Sequence, residues 1–419
     1  MTTQEIIALG IFIAVYIAII SERIHRTVAA MFGASIVLLA RIVPWEKVPN
    51  YLDLNTILLL AGMMIIVNIS RESGLFEYIA IKTAKLSKGD PMKVLLLFSV
   101  VTALVSAFLD NVTTVLLLTP MLLYITRQMR VNPVPYLLAE IFASNIGGAA
   151  TLIGDPPNIM IGSAAKLSFN EFIKNMTPIA TVDLALMVVL IYLLYRKELK
   201  KSEVSLVISD LREEDAIRDK RLFKKSVVVI CLVMLLFFLH DIVGVEPAVI
   251  ALSGASLLLL WSKEAPEKAL EKIEWPTLFF FAGLFIIVGS LEETGFIAQI
   301  GKWIAGQIHS EIEAILLISW LSAFLSAIID NIPFTATMIP IIKSMGSMLN
   351  IYPLWWALSL GACLGGNGTA IGASANVVVL GIAYREGIKI TFKDFLKVGM
   401  VIMTITVGVG SLILIARYG

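Results

Sequence analysis

Residues 106–120 read SAFLDNVTTVLLLTP and residues 326–340 read SAIIDNIPFTATMIP. In each, an apolar run is broken by Asp-Asn, Asp110-Asn111 or Asp330-Asn331, then resumes and reaches Pro120 or Pro340. A carboxylate at bilayer depth costs about 2.5–3.5 kcal/mol on insertion scales, so it survives where it faces protein, water or an ion. Two of them at equivalent places point to a shared site. The plainer reading, that each aspartate only caps a helix, leaves the apolar flanks without a reason.

Composition sets the same scene. Of 419 residues 58% are hydrophobic and 16% charged, and the mean hydropathy is +0.88, as for a chain whose solvent is mostly lipid. The formal net charge of +1 gives no footing for nucleic acid, and two cysteines, Cys231 and Cys363, make neither a disulfide framework nor a thiolate metal site. The opening MTTQE leads directly into an apolar run, Ile6 to Ile20, without the basic stretch of a signal peptide, so a retained first span is expected.

Working outward, spans are expected at 6–20, 27–43, 56–69 and 177–195. Residues 70–93, with Lys82, Lys85 and Lys88, suit an interfacial helix or a solvated arm. From Lys93 to Arg130 the chain is basic at both ends; the positive-inside rule places Arg127 and Arg130 on the side of 71–93, which requires a re-entrant hairpin. Residues 137–165 carry glycines and Pro156-Pro157 at the centre of an apolar run, the mark of a discontinuous helix. Residues 196–225 form the long charged segment, read as a cytoplasmic linker.

The second half repeats the first. Ala61-Gly62 recurs as Ala282-Gly283 and Glu72-Ser73-Gly74 as Glu293-Thr294-Gly295, both at a spacing of 221; Asp110-Asn111 recurs at 220, and Gly147-Gly148, Thr151, Gly154 and Asn158 recur at 218 as Gly365-Gly366, Thr369, Gly372 and Asn376. The fold expected is an all-α integral membrane protein of two inverted repeats, 1–195 and 226–419, joined by the linker 196–225. Each repeat has five transmembrane helices plus a re-entrant hairpin, with one of its helices broken. Under that topology 26 of the 33 Lys and Arg fall on the cytoplasmic side and 7 outside, with both termini outside. The prokaryotic plasma membrane is the expected location.

Hairpin tips and helix breaks free backbone groups at bilayer depth, where they are tolerated if they line a cavity or hold a ligand. The first half brings to them Asp110, Asn111, Thr113, Thr114, Asn145, Thr151, Asp155 and Asn158; the second brings Asp330, Asn331, Thr335, Asn367, Thr369, Ser374 and Asn376. These side chains offer oxygens suited to hard cations or, through the carboxylates, to protons. No Lys or Arg occurs in 94–126, 131–165, 314–342 or 344–384, so a cation, a proton or a small neutral solute is expected rather than citrate or succinate. Asp155 faces Ala373 in the repeat, so symmetry does not cover it. Glu140 and Asp183 are expected to be structural, Cys363 to pack, and His25, His240 and His309 are given no role.

At these strings the sequence resembles a known family. SAFLDNVTT, SNIGGAATLIGDPPN, IDNIPFTATMIP and GACLGGNGTAIGASANVV are similar to signatures of the ion transporter superfamily, in the branch of arsenite permeases, related sodium/proton antiporters and the melanosomal P protein. The resemblance spans both halves. It implies scaffold and transport domains, alternating access and a homodimer. Carried over by position, it implies a first site at Asp110, Asn111, Thr113, Gly154, Asp155 and Asn158 and a second at Asp330, Asn331, Pro333, Gly372 and Asn376. Na⁺ is expected on Asp110, Asn111 and Asn158, and on Asp330, Asn331 and Asn376. Where dicarboxylate transporters of the superfamily have Ser-Asn-Thr at the tips, this chain has Asp-Asn-Val and Asp-Asn-Ile.

The function expected is a secondary transporter coupled to H⁺ or Na⁺, of the arsenite/antimonite efflux type, moving a small inorganic ion or neutral oxyacid, with no other cofactor. A Na⁺/H⁺ antiporter, and an anion channel or dicarboxylate-type transporter, are the alternatives. An intramembrane enzyme finds no HExxH or GxSxG here.

Overall fold

A backbone in lipid must satisfy its own polar groups, which leaves helices as the repeating solution. The computed structural model describes residues 2–21, 23–201, 212–263 and 265–419 and places 21 α-helices among them. The first half runs α1 (Thr3–Ile20), α2 (Arg26–Leu39), α3 (Val48–Tyr51), α4 (Leu54–Glu72), α5 (Leu75–Ser87), α6 (Pro91–Ser106), α7 (Asn111–Gln128), α8 (Val134–Ala149), α9 (Pro156–Ala165), α10 (Phe169–Asn175) and α11 (Thr177–Lys201). The second runs α12 (Lys220–Val243), α13 (Pro247–Ser262), α14 (Pro266–Glu271), α15 (Trp275–Glu293), α16 (Phe296–Ala305), α17 (Glu311–Ser326), α18 (Asn331–Met345), α19 (Tyr352–Gly365), α20 (Ser374–Arg385) and α21 (Phe392–Tyr418). Apart from the short α10, each helix of one half has its counterpart in the other.

Six helices, α1, α4, α11, α12, α15 and α21, are long and apolar enough to cross a membrane unaided. The other spans read from the sequence are the shorter α2 and α13 and two broken pairs, α8/α9 and α19/α20. Each break falls at glycines: six residues separate Ala149 from Pro156, and eight separate Gly365 from Ser374.

Helices pack where small residues let backbones approach. In one group α4 crosses α13 and α2 crosses α15. A Cβ on Gly62 would lie 2.7 Å from the Ala251 carbonyl carbon, and one on Gly283 would lie 2.8 Å from that of Ala30. In the other group α6 crosses α8 and α17 crosses α19. There Gly147 and Gly365 sit against the carbonyl oxygens of Ala103 and Ala323, which a Cβ would approach to 2.2 and 2.5 Å. The same crossing is thus built twice, at the spacings found in the sequence. α11 and α21 close the second group.

Contacts at the helix ends sort into two faces. Near the linker, Arg127 pairs with Glu386 at 2.6 Å and Asn132 with Glu198 at 2.6 Å, and Lys272 pairs with Glu72. At the opposite face Lys47 pairs with Glu293, Asn55 with Glu246 at 3.2 Å, and Tyr352 with Glu171 at 3.0 Å. Each of these pairs joins residues that the charge count assigns to one side. α6 and α7 lie against each other, and the outer ends of both are near the linker.

Two segments differ from the sequence reading. Residues 70–93 hold α5, whose Phe76, Ala80 and Ala84 are buried against α6 and α7, so it is a packed helix and not a solvated arm. The segment 196–225 is not all linker, because α11 runs to Lys201 and α12 begins at Lys220; residues 202–211 lie outside the described residues. A 3₁₀ turn at Glu213–Ala216 docks on α5 through Lys85 with Glu213, Arg218 with Glu77 at 2.8 Å, and the Arg218 amide on the Ser73 carbonyl at 3.0 Å. Gly74 makes this possible: its φ is +85°, and a Cβ there would meet the Ala216 carbonyl oxygen at 1.8 Å.

Candidate functional site

Each tip is set by its own aspartate. Asp110 caps α7, accepting from the Thr113 amide at 2.9 Å, and Asp330 caps α18, accepting from the Ile332 amide at 3.1 Å. The helix breaks are held by asparagines. The Asn158 amide donates to the carbonyls of Gly148, Ala149 and Thr151 at 3.2, 3.2 and 2.8 Å; that of Asn376 donates to Gly366 and Thr369 at 2.7 and 2.9 Å. These bonds satisfy the carbonyls that the breaks release. Thr151 then ties its break to the hairpin tip through the Ala107 carbonyl, as Thr369 does through Ala327 at 2.5 Å. Gly154 and Gly372 fit under the tips, where a Cβ on Gly154 would lie 2.6 Å from the Ser106 carbonyl oxygen.

The two halves share one site. Asn145 donates to Asn367 at 2.9 Å and to Asn376 at 3.0 Å, and accepts from Asn111 at 3.3 Å. Ser359 donates to Asn158 at 2.6 Å, and the Asn331 amide donates to both Asp155 oxygens at 3.1 and 3.2 Å. A cavity of about 150 Å³ opens beside this network, with Asp110, Asn111, Asp155, Asn331 and Ser374 on one side and Arg26, Glu274 and Thr277 towards the linker face. Its lining carries three carboxyls, Asp110, Asp155 and Glu274, and one guanidinium, Arg26.

Other expected residues lie apart from it. Thr114 and Thr335 are buried within α7 and α18, and Pro333 presents its carbonyl to the Tyr16 hydroxyl at 2.6 Å. Thr113 contributes its backbone amide. Asn158 and Asn376, expected as Na⁺ ligands, each donate their amide within their own helix break, and their oxygens accept from Ser359 and Asn145 respectively.

The sequence reading also missed a cation. Arg26, from the start of α2 and outside the four stretches that lack Lys and Arg, places Nη1 3.1 Å from Asp330 and 2.8 Å from Ser374, while Ser374 donates to Asp330 at 2.8 Å. Its guanidinium lies over Phe280, 5.2 Å from the ring centroid. The absence of a positive side chain near the tips therefore does not hold. Symmetry gave no warning, since the counterpart position of Arg26 at a spacing of 221 is Pro247. Glu274 and Thr277 were findable: they repeat Asp53 and Thr56 at that spacing, and Asp53 likewise bonds Thr56 and also Ser163 at 2.8 Å.

Known proteins agree with this architecture. A fold match to the YdaH transporter of Alcanivorax borkumensis, described as having an unusual topology, has a TM-score of 0.61 over 88% of this chain and 86% of that one, at 14% identity, so it speaks for the fold alone. The 46 kDa membrane protein of Mycobacterium leprae is 43% identical and an uncharacterized transporter of Mycobacterium tuberculosis 40%, each over 99% of both chains. The P protein of Homo sapiens is 34% identical over 99% of this chain, which spans 60% of that protein. Residues 16–361 match the family described as citrate transporter. With these relatives and an integral membrane fold, the chain belongs to the citrate transporter family of membrane transporters.

Proposed function

We propose that the protein is a secondary transporter that exchanges H⁺ or Na⁺ for a small inorganic solute of the arsenite or antimonite class. The observation that carries this is the cavity of about 150 Å³ in which Asp110 and Asp155 stand with two asparagine amides from opposite halves. A proton and a cation compete for one carboxylate, and that competition couples the two flows. An undissociated oxyacid has hydroxyls for the Asn111 and Asn331 amides. The repeats 1–195 and 226–419 work as inverted units. The group of α1, α2, α4, α12, α13 and α15 serves as scaffold, and the hairpins α6/α7 and α17/α18 with the broken helices move as the transport domain, the hairpins re-entering from opposite faces. The molecule acts in the plasma membrane as a homodimer with its linker in the cytoplasm. With no separate solute, the same site makes a Na⁺/H⁺ antiporter.

One observation favours a second reading. Arg26 on the cavity wall is positioned to pair with an organic anion, the substrate class in the family's description. Currents from proteoliposomes on a solid-supported membrane, given Na⁺, Li⁺, arsenite and citrate in turn, separate the two. The proposal expects currents with arsenite or a cation that vanish in Asp110→Asn. A citrate current lost in Arg26→Gln, with no response to the others, overturns it in favour of the anion.

A further inference from the structure

The two helix groups meet differently at the two faces. Away from the linker, α4 packs on α9, Asp53 accepts from Ser163 at 2.8 Å, and Met160 of α9 is 1% exposed. The repeat sets Glu274 where Asp53 stands, at a spacing of 221, and Val378 of α20 where Met160 stands, at 218. At the linker face that equivalent place is open: Glu274 and Val378 line the cavity that holds Asp110 and Asp155. One face is closed and the other open, as when two inverted repeats adopt unlike conformations. Across the open side runs a single bridge. Arg26, on α2 of one group, donates from Nη1 to Asp330 of α18 at 3.1 Å and to Ser374 of α20 at 2.8 Å, both in the other group. Arg26, Ser374 and Val378 also line a second cavity of about 330 Å³, so the bridge stands where the groups face each other across a gap.

Only one half has it. At the repeat spacings Arg26, Asp330 and Ser374 answer to Pro247, Asp110 and Pro156, a set without a cation. Pro247 lines a cavity at the opposite face with Leu152 and Ile159, whereas Asp110 and Pro156 line the linker-side cavity, so in that half the two sides of the bridge stand apart. Inverted repeats exchange such arrangements when the molecule turns from one face to the other, and the turn therefore draws Arg26 away from Asp330.

We infer that Arg26 is the latch of the state open to the linker face, holding one helix group to the other through Asp330 and Ser374, and that the two repeated aspartates have divided their work. Asp110 faces the cavity for the coupling ion, and Asp330 is occupied by a cation that the chain itself supplies. The latch deepens the proposed function, resting on it for the movement of one group past the other and not for the solute or the ion. Parting the pair leaves two partly buried charges without each other, and Pro247 offers nothing at the other face to offset this, so the molecule rests open to the linker.

The test is labelling of the reconstituted protein by a membrane-impermeant maleimide, in a Cys231→Ser background with one reporter at a time, Met160→Cys from the face away from the linker and Val378→Cys from the linker face. Arg26→Met is expected to speed labelling of Met160→Cys about tenfold, the shift that losing a partly buried ion pair gives a two-state equilibrium, and to slow that of Val378→Cys. Arg26→Lys, which keeps the charge, should restore most of both rates. Asp330→Asn, which keeps a cap on α18, should give the same rise by itself and add nothing to Arg26→Met; should Arg26→Met fail to fold, it carries the test alone. Unchanged labelling of Met160→Cys, or a rise at both reporters, overturns the latch and leaves the proposed transport standing. Labelling needs no solute and no coupling ion, so a protein that gives no current with any of the four solutes loses the proposed function while the latch is still decided.

Discussion

Replacing Asn145 by alanine strikes the point where the two halves meet. Its amide donates to Asn367 and Asn376 at 2.9 and 3.0 Å and accepts from Asn111 at 3.3 Å, and all four side chains are buried. A buried polar group left unpaired costs about 1–3 kcal/mol, and the Asn111 bond is long enough to count for less, so the expected destabilisation is about 3–6 kcal/mol. Asn145→Asp keeps the volume and the acceptor but removes both donors, so it should cost about two of the three bonds, roughly 2–5 kcal/mol. Equilibrium unfolding in mixed micelles measures both. A loss below about 1 kcal/mol in Asn145→Ala would show that the asparagines are not what joins the helix breaks.

Arg26→Met should destabilise by about 1–2 kcal/mol, between the surface and buried limits, because the paired side chains are 29% and 16% exposed; a double-mutant cycle with Asp330→Asn, which keeps a cap on α18, should return most of that loss as coupling. Gly147→Ala and Gly154→Ala place a Cβ 2.2 and 2.6 Å from backbone oxygens and should each cost about 1–3 kcal/mol or more by thermal unfolding, whereas Gly10→Ala, with open space at its Cβ, should be neutral or stabilising. The Lys85 ammonium that bonds it, helped by its own backbone amide and by Lys82, holds the Glu213 carboxyl below the usual range. A depressed carboxylate stabilises above its unfolded pKa and loses that contribution as pH falls through the folded one. The turn should therefore release α5 on acidification, seen as faster amide exchange in α5 after correction for the intrinsic rate, and Lys85→Met should abolish the pH dependence.

Much of the fold was legible because lipid makes polar residues stand out. Asp110 and Asp330 announce the hairpin tips, Pro156-Pro157 one helix break, and the near-constant spacing of the repeat identifies the counterparts of each element. Basic residues at both ends of 93–130 suggested that the segment folds back on itself, and α6 and α7 do lie against each other. What escaped is tertiary. Arg26 stands at the edge of a span, where an arginine is ordinary, and nothing local says that it turns inward to Asp330. The hub role of Asn145 escaped because its counterpart is Cys363 and the symmetry used to find the site is broken there.

The central claim is that the Asp110 carboxyl in the shared cavity takes up and releases the coupling ion. Its most direct test is dissipation of an imposed pH gradient by proteoliposomes containing the wild-type protein or Asp110→Asn, on adding Na⁺, Li⁺ or arsenite. The account predicts dissipation by the wild type with at least one of the three and none by the variant at equal incorporation. Equal dissipation by both would contradict it.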